Sequence, residues 1–212
     1  MDKIIITTGD PNGIGAEITM KALKALNLPK EKIAIISNKK ILNYYGKLDK
    51  NYEIIEIPYN ENDIKVGQVT KEAGEFSFQS LKLACELKPK AIVTAPVAKN
   101  ALHLAGHNFN GQTEVLQHFL AHDKQLAEML FVANGFRVLL LTRHCALKEI
   151  TLTQDVVVTK IKNLVKTFQK QFSINNPKFA LCGFNPHSGE DGILGREEID
   201  ILIPAVQELQ NA

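Results

Sequence analysis

The sequence lacks the features that mark several specialised classes of protein. It has no tryptophan and only three cysteines, Cys85, Cys145 and Cys182, none of them in a CxxC pair. An odd number of cysteines without that spacing argues against a disulfide framework, so we expect free thiols in a reducing, cytoplasmic compartment. No apolar run approaches the length that spans a bilayer, and residues 1–10 lack the basic head and long apolar stretch of a signal peptide.

An excess of charge of one sign is also absent. The 25 lysines and arginines nearly balance the 23 aspartates and glutamates, for a formal net charge of +2, and no basic patch carries interleaved aromatic residues. We therefore expect neither a nucleic acid nor a membrane as a partner. With 45% hydrophobic residues, the 212-residue chain can bury the core of one large α/β domain or two small ones.

Strand-like and helix-like segments alternate through the first half of the chain. Short β-branched or apolar runs predict strands, and apolar residues that recur at helical spacing predict the helices between them. The predicted strands are 3–8, 32–37, 53–57 and 91–94, and the predicted helices are 14–26, 39–45 and 71–87. This alternation predicts an α/β fold with a mainly parallel sheet and right-handed crossovers.

The second half of the chain has a different pattern. Composition changes near 102–113, so we place a domain junction there, with a first α/β domain at 1–105 and a second at 106–212. Two apolar runs flank Asn134-Gly135, which predicts an antiparallel hairpin because both turn residues favour positive φ. We also predict a strand at 178–182 and a helix at 196–209 that Pro204 kinks or restarts. A further predicted helix at 155–172 has an inward face formed by Val156, Val157, Ile161, Leu164, Val165 and Phe168.

The first predicted strand leads into a glycine-rich turn, T-G-D-P-N-G-I-G-A-E-I, and then into a helix. This layout can present backbone N–H groups and a helix N-terminus to an anion, although its spacing does not match the dinucleotide fingerprint G-x-G-x-x-G. An ordinary connection between strand and helix is the alternative. Asp10 either lines a cleft at this edge of the sheet or simply begins the turn.

A second glycine-rich stretch, L-C-G-F-N-P-H-S-G-E-D-G-I-L-G-R-E-E-I, follows the last predicted strand. It places His187 just past the end of that strand, with Glu190 and Asp191 close by, and His144 follows the second strand of the hairpin in the same way. If the two strands are neighbours, the imidazoles and carboxylates would suit Zn²⁺, Mn²⁺ or Co²⁺, with water or substrate completing the shell. The alternative is that each histidine only forms hydrogen bonds at a loop edge.

Two further histidines, His118 and His122, lie four residues apart in a predicted helix that starts near Glu114. That is metal-ligand spacing on one helix face, but the sequence has no H-E-x-x-H motif and nothing apolar to shield a metal. We therefore predict that both are surface histidines.

Five motifs occur in an order that is typical of one enzyme family. They are T-x-G-D-P-x-G-I-G-x-E-I, T-A-P-V-A-K-N-A-L, G-Q-T-E, L-T-x-H and G-x-N-P-H-x-G-E-x-G-x-x-G-x-E-E-I, within the span from Ile6 to Pro204. Through them the chain resembles the 4-hydroxythreonine-4-phosphate dehydrogenase (PdxA) family, and its opening turn resembles that of isocitrate and isopropylmalate dehydrogenases. The resemblance implies their two-domain, three-layer α/β/α fold, with a mainly parallel sheet and an antiparallel hairpin in the second domain.

The resemblance also implies an activity. The family oxidises 4-phosphooxy-L-threonine at its C3 hydroxyl, with NAD or NADP as cofactor and a divalent metal ion such as Zn, Mg, Co or Mn. The β-keto acid that results loses CO₂ to give 3-amino-2-oxopropyl phosphate, in the synthesis of pyridoxine and pyridoxal 5′-phosphate. Family members are homodimers with active sites shared between subunits, and we expect the same here.

Functional residues of the family can be placed on this sequence where its motifs match. Its metal-binding histidines correspond to His144 and His187, and its substrate-contacting pair corresponds to Gln112 and Thr113. The family usually has histidine at position 112; glutamine can donate a hydrogen bond but cannot carry charge, which weakens a role in binding an anionic group. No general base is evident, and Lys99, after the fourth predicted strand, is our candidate.

Length is the main departure from the family. Family members are longer, so we expect an incomplete second domain, a third metal histidine beyond residue 212, weak metal binding and little dehydrogenase activity in this chain alone. Three alternatives stay open: a dehydrogenase of another 4-phosphorylated hydroxy acid, such as threonate or erythronate phosphate; a phosphate acyltransferase of similar fold, which needs no divalent ion at two histidines; and an inactive fragment that only dimerises.

Overall fold

A computed structural model describes residues 2–121, 127–143 and 145–211. The chain forms two compact units, residues 1–127 and 128–212, which are treated separately below. Within the described ranges, no helix is both long and apolar enough to cross a membrane.

The first unit alternates strands and helices, as the sequence predicts. Its elements are β1 (Ile4–Thr7), α1 (Gly15–Leu26), β2 (Ile33–Ser37), α2 (Lys39–Tyr45), β3 (Glu53–Glu56), α3 (Lys71–Glu86), β4 (Ala91–Thr94), α4 (Lys99–Leu104) and α5 (Gln112–Leu120). Within residues 2–121 the strands form one parallel sheet in the order β3-β2-β1-β4.

Helices cover both faces of this sheet. Successive residues of a strand point to opposite faces, so Ile5 and Ile36 share one side and Ile35 faces the other. Ile5 and Ile36 belong to a buried cluster with Phe76 of α3, whereas Ile35 packs with Leu23 of α1. Each such side chain contributes roughly 1.5–3 kcal/mol on burial, which favours the three-layer arrangement that the family resemblance implies.

The predicted junction between residues 105 and 106 lies inside the first unit. Helix α5 packs against α3, and the ring centroids of Phe78 in α3 and Phe119 in α5 are 5.9 Å apart. Phe109, in the loop before α5, adds a stacked ring 6.0 Å from Phe78. These aromatic contacts attach the segment after residue 105 to the first unit.

The second unit contains a hairpin and two main helical segments in the part that the structure describes. Its elements are β5 (Leu130–Ala133), β6 (Phe136–Leu139), α6 (Gln154–Gln171), a π-helical turn (Glu198–Leu202) and α7 (Ile203–Gln210). The antiparallel hairpin is confirmed, and its turn residues Asn134 and Gly135 have φ of 47° and 82°. Pro204 lies in the first turn of α7, so the prediction of a new turn there is also confirmed.

Two predictions for this unit are wrong. Residues 178–182 form no strand, because nothing in the described ranges pairs with their backbone; Phe179 instead stacks on Phe168 of α6, with ring centroids 6.0 Å apart. Val156 is 36% exposed, whereas Val157 is fully buried. Of the other predicted inward residues, Val157, Leu164 and Phe168 are buried, so the predicted stripe is confirmed except at Val156.

Candidate functional site

The topology of the first unit creates a crevice at one edge of its sheet. From β1 the chain adds β2 and β3 on one side and then crosses over to place β4 on the other side of β1. Such a switch point leaves room for a ligand beyond the carboxyl ends of the two strands. Gly9-Asp10 follows β1, and Ala95-Pro96 follows β4, so both segments meet at this edge.

The loops after β1 and β4 are held very close together. The Asp10 N–H donates to the Pro96 carbonyl oxygen at 3.0 Å. A Cβ on Gly9 would lie 2.2 Å from that same oxygen, and residue 9 has φ of 69°, in the left-handed region that favours glycine. Glycine is therefore required at position 9 for two independent steric reasons.

Three N–H groups of the glycine-rich turn before α1 form hydrogen bonds within the first unit. The Asp10 N–H is used by Pro96, the Asn12 N–H donates to Asp10 Oδ1 at 2.8 Å, and the Gly13 N–H donates to the Asp10 carbonyl at 3.0 Å. Asp10 itself is buried, and this burial raises the pKa of its carboxyl, partly offset by the Asn12 N–H. A buried carboxyl group therefore lies inside the turn, next to the N-terminus of α1.

Asn12 joins the glycine-rich turn to the segment that leads into α3. Its Nδ2 donates to the Gln68 carbonyl at 3.0 Å and to Thr70 Oγ1 at 3.1 Å, while its Oδ1 accepts the Lys65 N–H at 2.7 Å. Thr70 is also the N-cap of α3, where its Oγ1 accepts the Ala73 N–H. Asn12 is 2% exposed, so this network is shielded from water. No local pattern predicts this network, because the partners of Asn12 are more than fifty residues away.

Gln112 is the predicted site residue that the structure brings to the crevice. As the first residue of α5, it donates from Nε2 to the Ala95 carbonyl at 3.1 Å. Its Oε1 is buried and has no hydrogen-bond partner among the described residues. The amide donor is therefore engaged and the acceptor is unpaired, the reverse of what binding an anion requires. Thr113 follows it in the same helix turn and is half-buried.

Lys99 begins α4, close to the N-terminus of α5. Its Cε lies 3.7 Å from the position that a Cβ on Gly111 would occupy. The candidate base is thus near Gln112 along the same edge of the unit. Its role stays a prediction.

His107 shapes the loop that leads to Gln112. Its Nε2–H donates to Glu75 Oε2 at 2.8 Å, and its ring stacks on Phe78 with centroids 3.5 Å apart. Burial alone would raise the pKa of the Glu75 carboxyl, but hydrogen bonds from Gln79 and His107 lower it below its usual value. No local sequence pattern identifies this pair, since Glu75 is in α3 and His107 follows α4.

His118 is exposed, with its ring against Phe109 and Phe119. His122 lies outside the described residues. The surface position of His118 agrees with the predicted one.

His187 lies in the second unit on an exposed loop. Its N–H donates to Asn185 Oδ1 at 2.8 Å, and its ring Nδ1 is 3.1 Å from Glu190 Oε1. His144 lies outside the described residues, so the convergence of His144 and His187 stays a prediction. In the ranges that the structure covers, no group of three or more His, Cys, Asp and Glu side chains could hold a metal ion.

The loop that carries His187 has a left-handed backbone. Five consecutive residues, Ser188 to Gly192, have φ between 43° and 94°, and three of them are not glycine. An L-residue in this conformation costs roughly 1–2 kcal/mol, so the loop needs compensating contacts. One of them comes from Glu198, which is 7% exposed and accepts the Asn185 N–H at 2.7 Å. No local pattern identifies this role of Glu198, because its partner Asn185 is 13 residues away.

Comparison with known proteins connects these features with one family. The profile of the family described as Pyridoxal phosphate biosynthetic protein PdxA matches residues 2–212. A 4-hydroxythreonine-4-phosphate dehydrogenase from Nostoc sp. is 34% identical over 230 residues, which cover 95% of this chain and 63% of that protein. A D-threonate 4-phosphate dehydrogenase from Salmonella typhimurium is 35% identical, covering 97% of this chain and 70% of that protein.

A solved structure gives the same result for the fold. The crystal structure of a 4-hydroxythreonine-4-phosphate dehydrogenase from Klebsiella pneumoniae superposes with a TM-score of 0.83 at 29% identity, covering 100% of this chain and 72% of that one. The predicted isocitrate dehydrogenase-like α/β fold is therefore confirmed. The chain spans 63% of the length of the Nostoc relative and 70% of the Salmonella relative.

Proposed function

The chain belongs to the PdxA family, and from this premise we propose that it acts as an NAD(P)-dependent 4-hydroxythreonine-4-phosphate dehydrogenase in pyridoxal phosphate biosynthesis. The observation that carries the proposal is the family match, which runs through residues 2–212. Family membership also sets aside the alternative of a phosphate acyltransferase.

The proposed reaction is the oxidation of 4-phosphooxy-L-threonine at its C3 hydroxyl, followed by loss of CO₂ from the β-keto acid. When bound, NAD(P) accepts the hydride and a divalent cation supplies Lewis acidity that lowers the pKa of the hydroxyl. The chain's own residues bind and orient the substrate and take up the hydroxyl proton.

We assign His187 and His144 as ligands of the divalent cation, which is Zn²⁺, Mg²⁺, Co²⁺ or Mn²⁺. The ring of His187 suits this role, because a proton on Nδ1 can be donated to Glu190 Oε1 at 3.1 Å, which leaves the Nε2 lone pair for a metal. The side chain of His187 is 66% exposed and thus accessible. The assignment of His144 rests on the family resemblance.

We assign Gln112 and Thr113 to substrate binding at the crevice beyond β1 and β4. Because the Ala95 carbonyl holds Gln112 Nε2, the group of Gln112 left to be satisfied is an acceptor. An unpaired acceptor suits a hydroxyl or ammonium group of the substrate better than its phosphate. Lys99 is the proposed general base.

A second substrate, D-threonate 4-phosphate, is favoured by a specific observation. The Salmonella relative named for that substrate is 35% identical, as similar as the relatives named for 4-hydroxythreonine 4-phosphate. The two compounds differ in bearing a hydroxyl or an ammonium group on the same carbon. An acceptor at Gln112 accommodates either donor, so a comparison of kcat/KM for the two substrates decides between them.

A homodimer with shared active sites is the proposed assembly, and the hairpin supports it. Phe131, Phe136 and Val138 point to one face of β5 and β6 and are 56%, 75% and 44% exposed. On the other face, the Arg137 guanidinium lies 5.7 Å from the ring centroid of Phe168. A two-stranded ribbon with an exposed apolar face is marginal alone, so we expect a second copy to cover it.

The proposed location is the cytoplasm, with a small phosphorylated hydroxy acid as the partner rather than a nucleic acid or a membrane. The three cysteines support a reducing compartment, since Cys85, Cys145 and Cys182 are all free thiols. Burial raises the pKa of the Cys85 thiol to about 11, so this cysteine is unreactive.

The test is the formation of reduced nicotinamide by the complete product of the gene. 4-Phosphooxy-L-threonine and D-threonate 4-phosphate are compared as substrates, each with NAD and with NADP, before and after treatment with a chelator. We expect reduction with at least one substrate, lost with chelator and restored by a divalent cation. No reduction with either substrate would overturn the proposed function, and reduction that survives chelation would overturn the metal requirement.

A further inference from the structure

Glu198 is a buried carboxylate at the start of the helical segment that follows the glycine-rich loop. It is 7% exposed, and its Oε1 accepts the Asn185 N–H at 2.7 Å. This bond, together with the N–H groups of Glu198 itself and Phe184, holds the pKa of the carboxyl below its usual value. In the described part of the chain no lysine or arginine pairs with Glu198, since the nearby Arg196 binds Asp200. Backbone N–H groups therefore balance its charge.

The carboxylate lies between the two ends of the loop. A Cβ on Gly183 would be 3.6 Å from Glu198 Oε1, and a Cβ on Gly189 would be 3.4 Å from Oε2. The backbone at both positions thus packs close to the carboxylate. Oε2 is buried and has no hydrogen-bond partner among the described side chains and backbone groups, so the carboxylate is fixed by the loop alone.

Asn185 extends this contact to His187. While its backbone N–H is bound to Glu198, its side-chain Oδ1 accepts the His187 N–H at 2.8 Å. Its Nδ2 donates to the Leu194 carbonyl at 2.9 Å, which ties the far end of the loop to the same residue. A continuous set of hydrogen bonds thus runs from Glu198 through Asn185 to the backbone of His187.

We propose that Glu198 is a positioning residue for metal binding: its buried carboxylate holds loop 183–195 in the conformation that directs the His187 ring at the metal. The inference rests on the proposed role of His187 as a metal ligand. A carboxylate suits the position because its Oε1 accepts the Asn185 N–H and its negative charge is balanced by backbone N–H groups rather than by a lysine or arginine. A glutamine at 198 can still accept the Asn185 N–H through its Oε1, but it loses the negative charge that strengthens this bond and attracts the surrounding N–H groups.

The test compares E198Q with D200N in the complete product of the gene. Both variants replace a carboxylate by its amide in the same helical segment, but Asp200 is exposed and its side chain pairs with Arg196 at the surface. Co²⁺ affinity is measured by visible absorption, the midpoint of thermal unfolding by calorimetry, and exchange of the Asn185 amide hydrogen by NMR without metal. We expect E198Q to bind Co²⁺ roughly 10–100-fold more weakly, with faster Asn185 exchange, and D200N to match the wild type.

Each outcome decides the proposal. If the wild type binds Co²⁺ and E198Q binds it equally well, Glu198 has no positioning role and the proposal is overturned. If the wild type binds no Co²⁺, the metal role of His187 fails, and Asn185 exchange alone shows whether Glu198 holds the loop. If E198Q does not fold, the wild type still gives a result, because an Asn185 amide that exchanges as fast as an exposed loop amide overturns the proposal.

Discussion

Replacing Gly9 with alanine adds one methyl group where the loops after β1 and β4 meet. The new Cβ would lie 2.2 Å from the Pro96 carbonyl oxygen, a separation at which one of the two loops must move. The backbone at residue 9 also has φ of 69°, which alanine rarely adopts. The substitution therefore perturbs packing and backbone conformation together, at the edge of the candidate site.

The loss of folding stability expected for G9A is the sum of three contributions. The left-handed conformation costs alanine about 1–2 kcal/mol. Overpacking against the Pro96 carbonyl adds about 1–3 kcal/mol. Separation of the loops weakens the hydrogen bond from the Asp10 N–H to that carbonyl, which adds about 1 kcal/mol. The expected loss is about 3–6 kcal/mol, a large part of the 5–15 kcal/mol that typically separates folded from unfolded states.

Alanine variants at three other glycines of the first unit separate the backbone contribution from the packing contribution. G13A causes neither a steric clash nor backbone strain, because its Cβ would lie 3.5 Å from the nearest atom and residue 13 has no positive φ. We therefore expect almost no change in its free energy of unfolding. G67A tests the backbone alone, with φ of 74° and no atom within 4 Å, and should cost about 1 kcal/mol. G74A tests packing alone, because its Cβ would lie 1.9 Å from the Ala101 carbonyl oxygen; this clash should outweigh the gain of up to about 1 kcal/mol in helix propensity.

Urea denaturation followed by tyrosine fluorescence measures these changes. The chain has no tryptophan, and its four tyrosines, at positions 44, 45, 52 and 59, all lie in the first unit. The signal therefore reports unfolding of that unit. A loss for G9A no larger than that for G67A would refute the packing argument and show that the two loops can move apart freely.

Three further predictions follow from the same contacts. D10N should raise the midpoint of thermal unfolding at neutral pH. Burial raises the pKa of Asp10 in the folded state, so the wild type loses stability as pH rises above the pKa of an unfolded aspartate, about 4. Below that pH, calorimetry should find no higher midpoint for D10N than for the wild type. N12A removes three partly buried hydrogen bonds and should lower the free energy of unfolding in urea by about 2–4 kcal/mol, with faster proteolysis near Gln68. A loss under 1 kcal/mol would contradict a stabilising role of this network. F136K should convert the proposed dimer to a monomer in light scattering, whereas L147K, at a residue 80% exposed outside the hairpin, should leave it intact.

The local pattern of apolar and turn-forming residues is sufficient to predict most helices and strands of the fold. The strands at 91–94 and 33–37 and the helix at 39–45 lie where apolar periodicity predicts them, because each buries a regular face. The hairpin follows from Asn134-Gly135, whose residues tolerate positive φ. Restart of the helix at Pro204 follows from its missing N–H. In each case one short segment contains the whole physical cause.

Features that depend on distant partners could not be predicted. Residues 178–182 have the composition of a strand but form no ladder, since pairing depends on neighbours elsewhere in the chain. The roles of Asn12, His107 and Glu198 arise from hydrogen bonds to other segments. The family resemblance predicts Gln112 as a site residue, but only the structure shows that its Nε2 group donates to the Ala95 carbonyl oxygen.

The central claim is that His187 binds the metal of a dehydrogenase. The most direct measurement compares H187A with H118A in the complete gene product, by nicotinamide reduction with 4-phosphooxy-L-threonine or D-threonate 4-phosphate at saturating divalent cation. His118 is an exposed histidine of the first unit and serves as the control. We predict that H187A loses activity while H118A retains it. Wild-type rates in H187A would contradict the account.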